Sequence, residues 1–195
     1  MLKLLQNCKQ RGFSLIELMI AVVLVSIVVA LGVPSYMIWI QNTRIRNAAE
    51  SIQSGIQAAR AEAVRRNTSV QFDLRGTNSA WTVCVTPAAP GSCPDPDDAT
   101  TIQSRTIKEG SSADITVAVS DAGPFVFDGF GKLTSPVPAA ADHLVRIAVD
   151  MSTSVLPAAD SRDLSVIIGI GGNARMCDSS LDTAGTDPRR CPPPA

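Results

Sequence analysis

Aromatic residues make up only 4% of this 195-residue chain, so its core must be assembled mostly from valine, isoleucine, leucine and alanine. Histidine occurs once, at His143, which excludes a histidine-based metal cluster and a Ser-His-Asp centre with partners to spare. Net charge is almost missing too. Seventeen basic against 18 acidic side chains leave −1, and that predicts no general affinity for nucleic acid or anionic lipid. Acidic residues are wholly missing before Glu17, whereas Lys3, Lys9 and Arg11 fall within the first eleven positions. No internal repeat is apparent. Apolar residues are plentiful at 45%, which excludes a disordered composition, and the length allows one domain with an appendage.

The longest apolar run begins directly after the basic start. From Phe13 to Val33 there are 21 residues with one charge, Glu17; as a helix they span roughly 31 Å, about the thickness of a bilayer's hydrocarbon core. Positive charge ahead of the span predicts a cytoplasmic N-terminus and an exported remainder. A cleaved secretory signal is the plainer alternative, but its apolar region runs to about 7–15 residues and would not carry a carboxylate in its first turn. A lone ionisable residue inside a span marks function.

Helical periodicity continues past Pro34, which can kink a helix without ending it. Ile45, Ala48, Ala49, Ile52, Ile56, Ala59 and Ala63 recur at spacings of three and four, one apolar stripe. Arg65 and Arg66 suit a last turn and Asn67 a stop. The pattern predicts one helix over 13–66, apolar all round at first and amphipathic later. Beyond it lie β patterns at 70–74, 81–86, 101–107, 115–119, 125–127, 144–149 and 164–168, separated by Gly, Pro, Asp and Ser clusters. The stretches "TPAAPGSCPDPDDAT" and "DSSLDTAGTDPRRCPPPA" read as loops. The expected class is α+β: a long helix and an antiparallel sheet domain over 67–195.

The five cysteines are Cys8, Cys84, Cys93, Cys177 and Cys191. Removal of the basic leader would leave an even four in an exported, oxidising setting that favours pairing. Three connectivities are open. The local one, Cys84 with Cys93 and Cys177 with Cys191, closes a short loop in each irregular segment.

"RGFSLIELMIAVVLVSIVVALGVPSY" resembles the N-terminus of type IV pilins and type II secretion pseudopilins: a short basic leader ending in Gly12, then Phe13, Glu17, an unbroken apolar run and Pro34. The resemblance implies cleavage between Gly12 and Phe13 by a prepilin peptidase, with removal of residues 1–12 and methylation of the new Phe13 amino terminus. It implies a single-pass protein of the bacterial inner membrane, with residues 13–33 in the bilayer and the β domain in the periplasm. In a filament the Glu17 carboxylate would pair with the Phe13 ammonium of a neighbouring subunit. "RIRNAAESIQSGIQAARAEAVRRNTSVQF", "FVFDGFGKL" and "CDSSLDTAGTDPRRC" are similar to the helix-to-strand segment, strand-turn and cysteine-bounded loop of FimT/FimU-type minor pilins and the GspH pseudopilin, while residues 87–120 match little. The family's globular part is a β-sandwich-like domain packed on the helix.

The implied function is structural and non-enzymatic: a minor pilin or pseudopilin that primes or caps a type IV pilus or type II secretion pseudopilus, with other subunits as partners and no cofactor or metal. The rival is a DNA receptor for natural transformation. Some FimT-type proteins bind DNA through a Gly-Arg-x-Arg motif; the corresponding stretch here is Gly172-Asn173-Ala174-Arg175, with Asn173 at the first arginine. Arg175, Arg189 and Arg190 are the candidate phosphate contacts, balanced one for one by Asp178, Asp182 and Asp187. Two further motifs are set aside. "GIGGNA" lacks the helix that a dinucleotide site requires, and the acidic "DPDD" lacks the glycine and distal glutamate of an EF-hand loop.

Overall fold

The computed structural model describes residues 12–87, 91–107, 109, 112–121, 123–137, 144–181 and 185–192. Lys3, Cys8, Lys9, Arg11, His143 and Asp182 lie outside them. Two compact units are distinguished, up to Met37 and from Ile38 onward.

Helix α1 spans Leu15–Arg66 and passes through Pro34. Its end is a Schellman motif: the Thr68 amide donates to the Ala63 carbonyl and the Asn67 amide to Val64, with Asn67 at φ 47°. Asparagine tolerates that left-handed turn better than most residues. Every member of the apolar stripe from Ile45 to Ala63 is buried, joined by Ser51 and Gly55. Those two answer to the sheet beneath. The Trp81 indole N–H donates to Ser51 Oγ at 2.9 Å, satisfying two polar groups inside the core. A Cβ at Gly55 would lie 2.7 Å from Phe72 Cε2 and 2.9 Å from Trp81 Cε2. Glycine thus buys close approach at about 1 kcal/mol of helix propensity.

The strands are β1 (Val70–Leu74), β2 (Trp81–Val85), β3 (Thr101–Arg105), β4 (Ile115–Val119), β5 (Phe125–Phe127), β6 (Leu133–Ser135), β7 (Leu144–Met151), β8 (Leu164–Gly169) and β9 (Ala174–Asp178). They form two sheets, ordered β3-β2-β1-β5-β6 and β4-β7-β8-β9, with every ladder antiparallel. One core joins the helix stripe to a face of each sheet. Its four rings, Phe72, Trp81, Phe125 and Phe127, all come from the five-stranded sheet. The sheets meet where the Leu133 amide donates to Ile170 O, and again where Val117 donates to Thr77 O.

The predicted strands stand with ends moved by a residue or two. β6 and β9 were not expected: β6 is three residues long, and β9 carries arginine and aspartate on a part-exposed strand. "GIGGNA" is the β8–β9 hairpin turn, with Ile168 opposite Ala174 and Gly172 at φ 74°. A strand follows it, so it cannot present a helix N-terminus to a pyrophosphate.

Candidate functional site

Gly12, Phe13 and Ser14 precede α1, and the Ser14 carbonyl accepts the Leu18 amide at 3.1 Å. Glu17 is the acidic residue of the first turn, where a carboxylate complements the helix dipole. Phe13 is 83% exposed, and the apolar side chains from Leu15 to Met37 are exposed around the whole circumference. Among the described residues, α1 is the one helix long and apolar enough to cross a membrane, and none of its most apolar window is buried. Ser26 satisfies its own hydroxyl by donating to Val23 O at 2.7 Å, as a polar group in lipid must. A Cβ at Gly12 would meet nothing within 4 Å. Packing among the described residues therefore gives no reason for glycine there.

The cysteines pair locally, Cys84 with Cys93 and Cys177 with Cys191. Each bridge lays an irregular segment over the outer face of one sheet. Over the first sheet, outward-facing Gln71 donates to Gly91 O at 2.8 Å, and Arg75 donates to Thr82 Oγ1, Cys93 O and Pro94 O. The Cys93 amide donates to Asp73 at 3.0 Å. Burial pushes the Asp73 carboxyl above its ordinary range, opposed by that amide and by the Arg75 charge. Over the second sheet, Cys177 and Cys191 pack on Ile167 and Leu144 as a small separate cluster. The returning segment pairs Arg190 with Asp178 in a parallel bridge.

The three candidate DNA contacts are not equivalent. Arg175 is exposed on β9. Arg189 forks onto Asp187, Nε to Oδ1 at 3.1 Å and NH2 to Oδ2 at 2.7 Å, and these bonds hold the Asp187 carboxyl down to about 2. Arg190 is half-buried in the bridge to Asp178. In "DPDD", Asp98 caps the amide and hydroxyl of Thr100. Among the described residues, no three histidine, cysteine or acidic side chains converge as metal ligands would.

Residues 7–33 match the prokaryotic N-terminal methylation motif, and residues 48–172, more than half the chain, match the model of the family described as type II transport protein GspH. The chain belongs to the GspH family. It is thus a minor pilin or pseudopilin of the type IV pilus and type II secretion group. The type IV minor pilin FimU of Pseudomonas aeruginosa (strain PAO1) is similar to it in fold. One crystal form gives 17% identity and a TM-score of 0.51 over 70% of this chain and 90% of that one. A second gives 16% identity and a TM-score of 0.49, covering 70% and 94%.

In this GspH-family chain, sequence reading missed the groups that hold the irregular segments down. Asn42 is one: its Oδ1 accepts the Arg162 amide at 2.8 Å and its Nδ2 donates to Asp160 O at 2.9 Å, tying the β7–β8 connection to α1. Gln71, Asp73 and Arg75 are others. Their only signal was strict alternation in "VQFDLR", which places three polar residues on the outer face of β1.

Proposed function

We propose that this chain is made with a leader over residues 1–12, cut between Gly12 and Phe13, methylated on Phe13, and held in the bacterial inner membrane by residues 13–33 with residues 67–195 in the periplasm. From there it primes or caps a filament that other pilin-family subunits extend. The observation that carries the reading is the first half of α1: apolar and exposed on every side, with a single carboxylate, Glu17, four residues past Phe13. A surface of that kind needs lipid first and neighbouring helices afterwards. Tyr36 and Trp39, 59% and 61% exposed, follow the span as interfacial aromatics do. Two disulfides suit an oxidising compartment.

Glu17 then has a physical role. Cleavage gives Phe13 an α-ammonium, and in a bundle of such helices the Glu17 carboxylate can pair with the ammonium of another subunit. A buried pair of this kind fixes register more than it stabilises, because losing one partner costs about 3–5 kcal/mol. The DNA-receptor reading draws less support, since Arg189 is already forked onto Asp187 and Arg190 is half-buried.

The test is mass spectrometry of the membrane-extracted protein together with recovery in sheared filaments. The expected chain begins at methylated Phe13. Glu17→Ala should insert and be processed yet be depleted from filaments at least tenfold, the size of effect a lost buried ion pair allows. An intact leader, or normal recovery of Glu17→Ala, would sink this reading.

A further inference from the structure

The chain holds five phenylalanines, two tryptophans and one tyrosine, and the fold divides them evenly. Phe72, Trp81, Phe125 and Phe127 are buried in the core. Phe13, Tyr36 and Trp39 belong to the processing site and the membrane boundary proposed above. Phe130 belongs to neither group. It sits in the β5–β6 turn at 90% exposure, the most exposed of the large apolar side chains described.

The turn is built so that this ring cannot fold inward. Asp128 Oδ1 accepts the amides of both Phe130 (3.0 Å) and Lys132 (2.9 Å). The Asp128 amide donates to Lys132 O, and the Gly131 amide to Asp128 O. The backbone on each side of the ring is pressed against the end of α1. A Cβ at Gly129 would stand 2.7 Å from Asn67 Oδ1, and one at Gly131 would stand 3.0 Å from Val64 Cγ2. Arg60 Nε donates to Gly131 O at 3.1 Å. With both flanking glycines against the helix, Phe130 is held in solvent beside Val64, itself 52% exposed. Beside them stand Arg60, whose Nε bonds Gly131 O, and Lys132, against Asp128. The patch is positive in a chain whose overall balance is negative.

We propose that Phe130 is the anchor of a subunit contact, an apolar knob with a basic rim that seats in an acid-rimmed apolar pocket on a neighbouring pilin-family subunit. This rests on the filament reading above. A fixed aromatic flanked by an aliphatic side chain and encircled by charge has the composition of an interface hot spot, and the excess of cations selects an acidic partner. Single-stranded nucleic acid fits less well. It needs successive stacking rings along a basic groove, whereas one ring stands here beside two cations, Arg60 and Lys132.

The experiment replaces Phe130 in the full-length chain with photoreactive benzoylphenylalanine, irradiates cells that are assembling filaments, and sequences the cross-linked peptides from sheared filaments. The expected product joins position 130 to a pilin-family subunit, at a peptide with aspartate or glutamate beside the cross-linked residue. In parallel, Phe130→Ser and Lys132→Glu should lower recovery in filaments, about tenfold for Phe130→Ser as an interface anchor would. Phe130→Trp should retain recovery, and processing and melting temperature should not move. Cross-links only to lipid or nucleic acid, no cross-link from a chain present in filaments, or full recovery of Phe130→Ser would overturn the contact while leaving the assembly reading intact. A processed wild-type chain that never enters filaments would overturn both.

Discussion

The two halves of α1 are continuous in backbone, yet they differ in composition and obey different constraints. From Ile45 to Ala63 every member of one apolar stripe is buried, while Ala58 and Ala61, off that stripe, are not; Ser51 and Gly55 interrupt the stripe only where Trp81 and Phe72 demand a hydroxyl or a gap. From Leu15 to Met37 the apolar residues face all directions and none is covered. The later half is solved by its own chain, so its residues report on folding. The earlier half remains an open problem within the chain, so its residues report on what the chain meets; on the function proposed above these are a peptidase at Gly12, lipid along the span, and another subunit at Glu17.

The sharpest way to break this comparison is a matched pair of truncations. Ile52→Ala should lower the stability of the processed protein by about 2–5 kcal/mol, the range for a buried Ile or Leu cut to Ala. Leu24→Ala, an equal loss of apolar surface, should leave the melting of the β domain where it was. Thermal unfolding in detergent, followed by near-ultraviolet circular dichroism from Trp81, separates the two. A shift from Leu24→Ala as large as that from Ile52→Ala would show that the halves are not independent in the way argued here.

A smaller effect tests the covering segments against each other. Loss of either disulfide should cost about 2–4 kcal/mol, but the consequences should differ. With Cys84 and Cys93 both changed to serine, Gln71, Asp73 and Arg75 still grip residues 91–94 through hydrogen bonds. With Cys177 and Cys191 changed, Ile167 loses the two sulfurs that pack on it, and the contacts that stay include one parallel bridge and the bond from Arg146 to Pro192 O. Limited proteolysis should therefore cut the C-terminal segment of the second variant well before the 91–98 loop of the first. The opposite order would mean that the polar grip on the first loop contributes little.

What could be read in advance follows the same division. The membrane half was legible because hydrophobicity and a lone charge are local signals, and the stripe from Ile45 to Ala63 because helical period is local too. β1, β4 and β5 were found to the residue. β6 and β9 were not, since three residues of "LTS" and the charged "ARMCD" show no strand pattern of their own and gain strand character from the strands they pair with, Phe127 for Leu133 and Ile167 for Arg175. The cysteine pairing was left among three alternatives because proximity across a loop is a tertiary fact. Phe130 was quoted within a strand-turn and passed over, because in sequence it looks like one more core phenylalanine beside Phe125 and Phe127. Only the glycines on either side, each pressed on the helix, show that it points outward.

The smallest effect is electrostatic. Asp163 lies just beyond the end of the β7–β8 ladder, where Val149 pairs with Leu164. Partial burial, then the charge of Asp150 and a hydrogen bond shared with it, then the charge of Asp178, push its carboxyl above the ordinary 3.8. Asp150 is itself held by Ser161 Oγ at 2.7 Å and the Met151 amide at 2.6 Å, so it cannot swing away. A raised folded-state pKa means that the folded form disfavours the carboxylate. The contribution of Asp163 to stability is then greatest below 3.8 and is lost as pH rises through its folded value. Asp163→Asn removes the charge and keeps a donor for Asp150, so it should stabilise the domain at pH 7. After discounting for solvent screening the gain is at most about 1 kcal/mol, and it should vanish below pH 3.8, where wild type and variant are both neutral there. Glu62 should behave in the opposite sense: Arg65 and Arg66 hold its carboxyl below the ordinary 4.5, so Glu62→Gln should cost a little stability at neutral pH and nothing in acid. Glu17→Gln, on the uncovered half of α1, should leave the melting curve of the domain unchanged at either pH. Denaturant titrations at pH 3 and pH 7 on the three variants would show the pattern, and a pH-dependent shift from Glu17→Gln would show that the two halves are energetically coupled.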